Sequence, residues 1–300
     1  MLKATFHSYK GGACRTSTCL NTLPFLAEKL GATPDRPLLV IDTDLESQGL
    51  TYLFGAAQTF RSKERPYDTK ELLSGNALTN FREKCIPVGN KLGMENEAVW
   101  FLGVDDTKPF AAQIQGGQVQ EKLAMLDNLP LCGVIYDTAS GDQFSATVTN
   151  KDSQVIVCCM RPTRQFRMGT FSFLSRVGKE WITMGGYQIR RVVVLPTAVP
   201  RTSITIGGVD QYTFAKERAT QEIEGFDWTV CDEFVQDGCF GIPEVERFKW
   251  CEDVLYVLNE EGKLNGEKDA LLALERYEKL AEVMIEEGKK ADECACTEFT

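Results

Sequence analysis

Apolar runs that stop at a turn and give way to helical patterns constrain this chain most. Ala4–Ser8, Leu38–Ile41, Ala98–Val104, Leu131–Tyr136, Val155–Met160 and Arg191–Leu195 each read as a strand. A strand wetted on one face alternates apolar and polar residues, whereas most of these runs are apolar throughout, as in strands buried on both faces. Between the first two lies Thr16–Leu30, with Leu20, Leu23, Leu26, Ala27 and Leu30 at helical spacing. Pro24 predicts a kink in that helix and Gly31 its end. Val119–Asp127 and Gly169–Trp181 carry further helical patterns. Glu267–Glu287 is amphipathic, with Leu271, Leu274, Tyr277, Leu280, Ala281 and Met284 on one side. Strands joined by helices predict an α/β fold, a mostly parallel central sheet with helices on both faces. Its 300 residues are read as one domain. Residues 55–97 are expected to be a surface excursion, and 207–238 a less regular insertion.

Ligands of such sheets bind at the carboxyl ends of the strands, and the chemistry-bearing motifs fall there. The first strand runs into FHSYKGGACRTST, Phe6 to Thr18. Gly11 and Gly12 let the backbone wrap an anion. The helix opening near Thr16 supplies N–H groups. Arg15 brings a cation and Thr16 a hydroxyl suited to Mg²⁺. Where a common phosphate loop has glycine and lysine, this one has Cys14 and Arg15. A guanidinium keeps the charge and can grip a phosphate through two N–H groups. If Cys14 sits at positive φ, its side chain is strained there. Two further strands end in carboxylates, in LLVIDTDLESQGLTYLF (38–54) and LCGVIYDTASGDQF (131–144).

With Lys10 just before the two glycines, the loop resembles the deviant phosphate loop of ParA- and MinD-like P-loop ATPases, KGGxGK[ST]T. YKGGACRTS is similar in particular to the KGGVGR-motif variant subgroup, from which it departs at Ala13 and Cys14. Asp42, Asp44, Leu45, Glu46, Gly49 and Leu50 match that subgroup's first switch, and Asp137 with Gly141 its second. The resemblance implies a site for ATP and Mg²⁺ formed by Lys10, Gly11, Gly12, Ala13, Cys14, Arg15, Thr16 and Ser17. By it, Thr16 and Asp137 serve the metal, with Asp42 behind its shell. Asp44 orients or deprotonates the attacking water, and the Gly141 N–H faces the γ-phosphate. Lys10 reaches across a nucleotide-dependent homodimer. VIVCCMRPTRQFRMG follows the family's strand, proline and helix start, and FGIPEVERF its late loop near the base, giving Ile242 and Pro243. Relatives often end the sixth strand in asparagine; here Pro196 and Thr197 stand there, and Thr197 offers a hydroxyl. The implied activity is a slow ATPase switch acting on an unidentified protein partner. The alternatives are a nucleotide-binding module with little hydrolysis, which Cys14 and Arg15 motivate, and an ATP-dependent ligase of the same superfamily.

Composition narrows the rest. A net charge of -10 makes the chain a poor general binder of DNA or of anionic membranes. The single histidine, His7, excludes chemistry needing two from this chain, and its place in the first strand reads as structural. Eleven scattered cysteines, no apolar run near the roughly 20 residues that span a bilayer, and a start that leads directly into a strand predict a cytoplasmic protein with reduced thiols. Cys294 and Cys296 lack a nearby histidine for a metal site. Arg161, Arg164 and Arg167 read equally as a solvated helix start or as a cluster meeting phosphates or a partner's acids.

Overall fold

The structure, a computed structural model, describes residues 1–60, 67–107, 116–183, 191–226, 230–235 and 240–297, with backbone alone at 57–58, 116–117, 177–183 and 294–297. Its main strands are β1 (Leu2–His7), β2 (Leu38–Thr43), β3 (Ile86–Pro87), β4 (Val99–Leu102), β5 (Gly133–Thr138), β6 (Val155–Met160) and β7 (Arg191–Pro196). A hairpin of β8 (Thr205–Ile206) and β9 (Val209–Asp210) follows, then β10 (Val230–Cys231). Among the described residues, eight of these form one sheet in the order β10-β7-β6-β1-β5-β2-β4-β3, parallel except for β3. β1 lies between β5 and β6, so the loop that leaves it emerges at the middle of the carboxyl edge.

The helices are α1 (Arg15–Lys29), α2 (Gly49–Leu53), α3 (Ala56–Phe60), α4 (Thr69–Leu73), α5 (Phe81–Lys84), α6 (Gly116–Ala124), α7 (Phe144–Asp152), α8 (Arg164–Thr183), α9 (Gln211–Ile223), α10 (Leu255–Glu260) and α11 (Lys268–Thr297). The period of two along a strand divides its side chains between the faces. Leu38 and Val40 join Leu23 and Leu26 of α1 and Leu280 and Met284 of α11 in one core. Leu39 and Ile41 join Leu72 of α4, Val119 and Leu123 of α6 and Val148 of α7 in a second, on the opposite face. Both faces being covered is why the strands read as unbroken apolar runs. Pro24 is buried inside α1, and Gly31, at φ 62°, follows the helix end. The last helix continues past the expected boundary to Thr297.

The stretch read as a surface excursion is largely packed. Tyr67, Leu72, Leu73, Leu78, Phe81 and Cys85 are buried in the second core, and β3 adds an antiparallel edge. Their apolar residues are dispersed among polar ones, which hid the cover they form; Pro66 lies outside the described residues. In the 207–238 region, α9 is followed by β10, which extends the sheet. Among the described residues no helix is long and apolar enough to cross a membrane.

Candidate functional site

His7 ends β1 and the chain turns at once. Lys10, Gly11 and Gly12 are exposed and Ala13 is buried. Gly12 has φ 84°, and Cys14, the N-cap of α1, has φ 52° and ψ 27°. Cys14 is thus left-handed, a conformation that strains any residue with a Cβ. Helical bonding begins immediately, the Thr18 N–H donating to the Cys14 carbonyl at 2.9 Å. The loop therefore delivers the first-turn N–H groups of a long helix to the centre of the carboxyl edge, where an anion is favoured. Tyr9 lies against α8, where a Cβ on Gly169 would come within 2.1 Å of its ring.

The parallel register sets Asp42 of β2 beside Asp137 of β5, both fully buried. Arg15 reaches across to Asp137 and to Asp44. Its Nε donates to Asp137 Oδ1 at 2.7 Å and an Nη to Asp44 Oδ2 at 2.8 Å, while the same Nη lies 3.4 Å from Thr16 Oγ1. Burial alone would lower the Arg15 pKa; the Asp137 and Asp44 carboxylates outweigh it and hold the pKa above the ordinary value. Burial raises that of Asp137, against the pull of Arg15. Asp137 Oδ2 has no hydrogen-bond partner. Asp42 is pushed up to about 7, by burial and then by the charge of Asp137. Its oxygens accept from the Asp44 N–H (3.1 Å) and from the Thr51 N–H (2.9 Å) and Oγ1 (2.8 Å). Asp42 thus ties the turn after β2 to α2. Asp44 Oδ1 accepts from the Ser47 N–H at 3.0 Å. A Cβ on Gly49 would fall 2.8 Å from Thr16 Cγ2, so the start of α2 sits directly on the loop.

Gly141 and Thr197 have partners within the protein. The Gly141 N–H, at φ 73°, donates to the Ser8 carbonyl at 2.8 Å and so closes on the loop's own backbone. The buried Thr197 hydroxyl donates to the Ala13 carbonyl at 2.7 Å, which supports the loop and leaves that proton unavailable to a base. Next to Thr197, a small cavity is lined by Cys14, Thr18, Arg161, Ala198, Ile242 and Pro243. The late loop is held there by Ile242 N–H to Pro196 O (2.9 Å) and Val199 N–H to Ile242 O (3.0 Å).

The three arginines have different surroundings. Arg161 lines the cavity, Arg164 is exposed, and buried Arg167 pairs with Glu222 of α9 at 3.0 Å. His7 is buried, stacks on Phe173 with ring centroids 4.3 Å apart, and is lowered to about 3 by burial and then by the charge of Arg15. The side chains of Cys294 and Cys296 lie outside the described residues. Two residues escaped the sequence reading. Thr51 clamps Asp42, and its signal was a hydroxyl just after the matched Gly49-Leu50 pair. Gly241, at φ 67°, lies where a Cβ would come 2.2 Å from the Pro196 carbonyl; its signal was the glycine before Ile242-Pro243.

The donors here are hard oxygens, as magnesium requires, and the Asp137 carboxylate, with Oδ2 unsatisfied and the Thr16 hydroxyl near enough to lower its pKa, fits such a cation. Among the described residues no group of three or more His, Cys, Asp or Glu side chains forms a metal cage.

No family model and no curated protein matches the chain. Solved structures match it over nearly their full length. An ATP-bound McdA variant from Cyanothece is 15% identical, covering 93% of this chain and 95% of that one, with a TM-score of 0.61. A pNOB8 ParA bound to nonspecific DNA is 16% identical over 95% and 99%, with a TM-score of 0.60. The cell division ATPase MinD of Pyrococcus furiosus is 17% identical over 93% and 99%, with a TM-score of 0.53. At such identities the likeness speaks to architecture, and with the sheet order above it establishes that this chain has the fold of the ParA- and MinD-type P-loop ATPases.

Proposed function

We propose that this protein is a nucleotide-dependent dimeric switch, which binds ATP with Mg²⁺ and hydrolyses it slowly to control a partner. The observation that carries this reading is the convergence on one loop of a helix N-terminus, a cation and two strand-end carboxylates. The loop amides from Gly11 to Thr16 receive the phosphates, and Arg15 balances their charge. Thr16 and Asp137 hold the metal. Asp42 keeps the first switch in place through Thr51. Magnesium, when bound, neutralises phosphate charge. Asp44 orients the attacking water, and Gly141 turns its N–H from Ser8 to the γ-phosphate. The cavity beside Ile242 and Pro243 takes the base, with Thr197 behind it. Lys10, exposed on the same edge, reaches the nucleotide of a second copy.

A solved relative of this fold is bound to ATP and another to DNA, which supports a nucleotide ligand and a switchable partner. The charge of -10 argues here for a protein partner over DNA or membrane. A binding module with little hydrolysis is a second reading, favoured by left-handed Cys14 and by the engagement of Asp44 with Arg15.

Titration with ATP and GTP in the presence of Mg²⁺, followed by turnover, tests the proposal. Asp44→Ala should bind ATP, dimerise and lose turnover by about 100-fold or more. Lys10→Ala should lose nucleotide-dependent dimerisation. Wild-type protein that binds neither nucleotide overturns the proposal, and binding without any turnover selects the second reading.

A further inference from the structure

One side chain reaches Asp137 and Thr16, assigned above to the metal, and Asp44, assigned to the water. The Arg15 guanidinium meets Asp137 at 2.7 Å, Asp44 at 2.8 Å and Thr16 at 3.4 Å, and the residue is only 8% exposed. We propose that Arg15 is a latch that keeps this site shut to divalent cations, and that incoming phosphates release it. The inference rests on reading this loop as a nucleotide site.

The argument is one of partners. A hydrated divalent cation approaching Asp44 and Asp137 would have to displace a guanidinium already bonded to both. The displaced Arg15 would be left buried and unpaired, which is costly. A polyphosphate removes that obstacle, because it offers the same planar fork a second set of anionic oxygens. Arg15 can then change partners without ever lacking one, and the carboxylates become free for the metal. A lysine here would be a point charge with no fixed fork, so it would bridge two carboxylates less firmly.

The latch also joins two elements of the fold. Asp44 follows β2, and Asp137 belongs to β5. Asp44 holds Ser47 through its side chain and Gln48 through its carbonyl (2.9 Å), and Gly49 then rests on Thr16. Release of Arg15 therefore frees the turn that leads into α2. Gly141 on Ser8 and Thr197 on Ala13 hold the same closed arrangement from the loop's other sides.

Manganese binding to nucleotide-free protein, read by water-proton relaxation or electron paramagnetic resonance, tests the latch apart from turnover. Arg15→Gln should bind Mn²⁺ at least about tenfold more tightly than wild type, because two buried carboxylates lose their counter-charge. Adding Asp44→Asn and Asp137→Asn should remove that gain. Equal affinity in wild type and Arg15→Gln overturns the proposal, as does a gain that survives loss of both carboxylates. Should the glutamine variant fail to fold, Arg15→Lys takes its place, with a gain of about threefold expected and an unchanged affinity overturning the latch. Failure of ATP and GTP to bind would remove the nucleotide reading while these Mn²⁺ measurements still decide whether Arg15 excludes a cation.

Discussion

β1 and its exit loop bring a buried cation to each end of the sheet, and the two are built differently. At the amino end Lys3 Nζ meets Asp152 Oδ1 and Asp127, each at 3.1 Å, and the Leu123 carbonyl at 3.3 Å. Asp152 Oδ2 accepts from the Tyr136 hydroxyl at 2.7 Å. None of these side chains carries an unsatisfied buried atom. At the carboxyl end Arg15 also spans two carboxylates, yet Asp137 Oδ2 and both nitrogens of His7 lack partners, and Cys14 is left-handed. A satisfied network holds one structure. Buried polar atoms without partners and strained backbone call for explanation, and they concentrate where a protein works.

Substitutions can break this contrast. The largest effect is expected from Lys3→Met, which strands the Asp152 carboxylate. It should cost roughly 3–5 kcal/mol in urea unfolding, and added ATP with Mg²⁺ should raise wild type and variant by the same increment. An increment that differs between the two would mean that the ends are not independent. Next comes His7, whose pKa falls to about 3 in the fold from an ordinary value of 6.5. The unfolded chain takes up the proton first, so this contribution is fully present above pH 6.5 and is lost progressively as pH falls toward 3. Between pH 8 and pH 5 it should remove about 2 kcal/mol, and His7→Phe should lack that part of the slope in denaturation curves taken at each pH. The smallest effect is at Cys14, where glycine relieves the left-handed strain. Cys14→Gly should raise stability by roughly 0.5–1 kcal/mol, read from the urea midpoint. A loss there would mean that the thiol's packing outweighs its backbone.

What could be read from residues alone follows the same division. The strands and α1 were legible because burial on both faces writes itself as apolar runs, and because the loop, Asp42 and Asp137 lie at strand ends. The cover formed by Tyr67, Leu72 and Phe81 was not, since its apolar residues are scattered over several short elements. The partners of Arg15, Gly141 and Thr197 were illegible for another reason. The resemblance describes a ligand-filled site, whereas in this structure those groups bond to the protein itself. No local pattern reveals which of two partners a side chain holds at a given moment.

The contact between Tyr9 and Gly169 has a consequence for Lys10. The bare backbone at Gly169 leaves a notch in α8 that the tyrosine ring occupies, so the chain's path out of β1 is keyed to the helix that follows β6, its neighbour in the sheet. Lys10 is the next residue. A bulkier side chain at 169 would lever the ring outward and swing the neighbouring ammonium with it, so the aim of that charge is governed by a position far away in the chain.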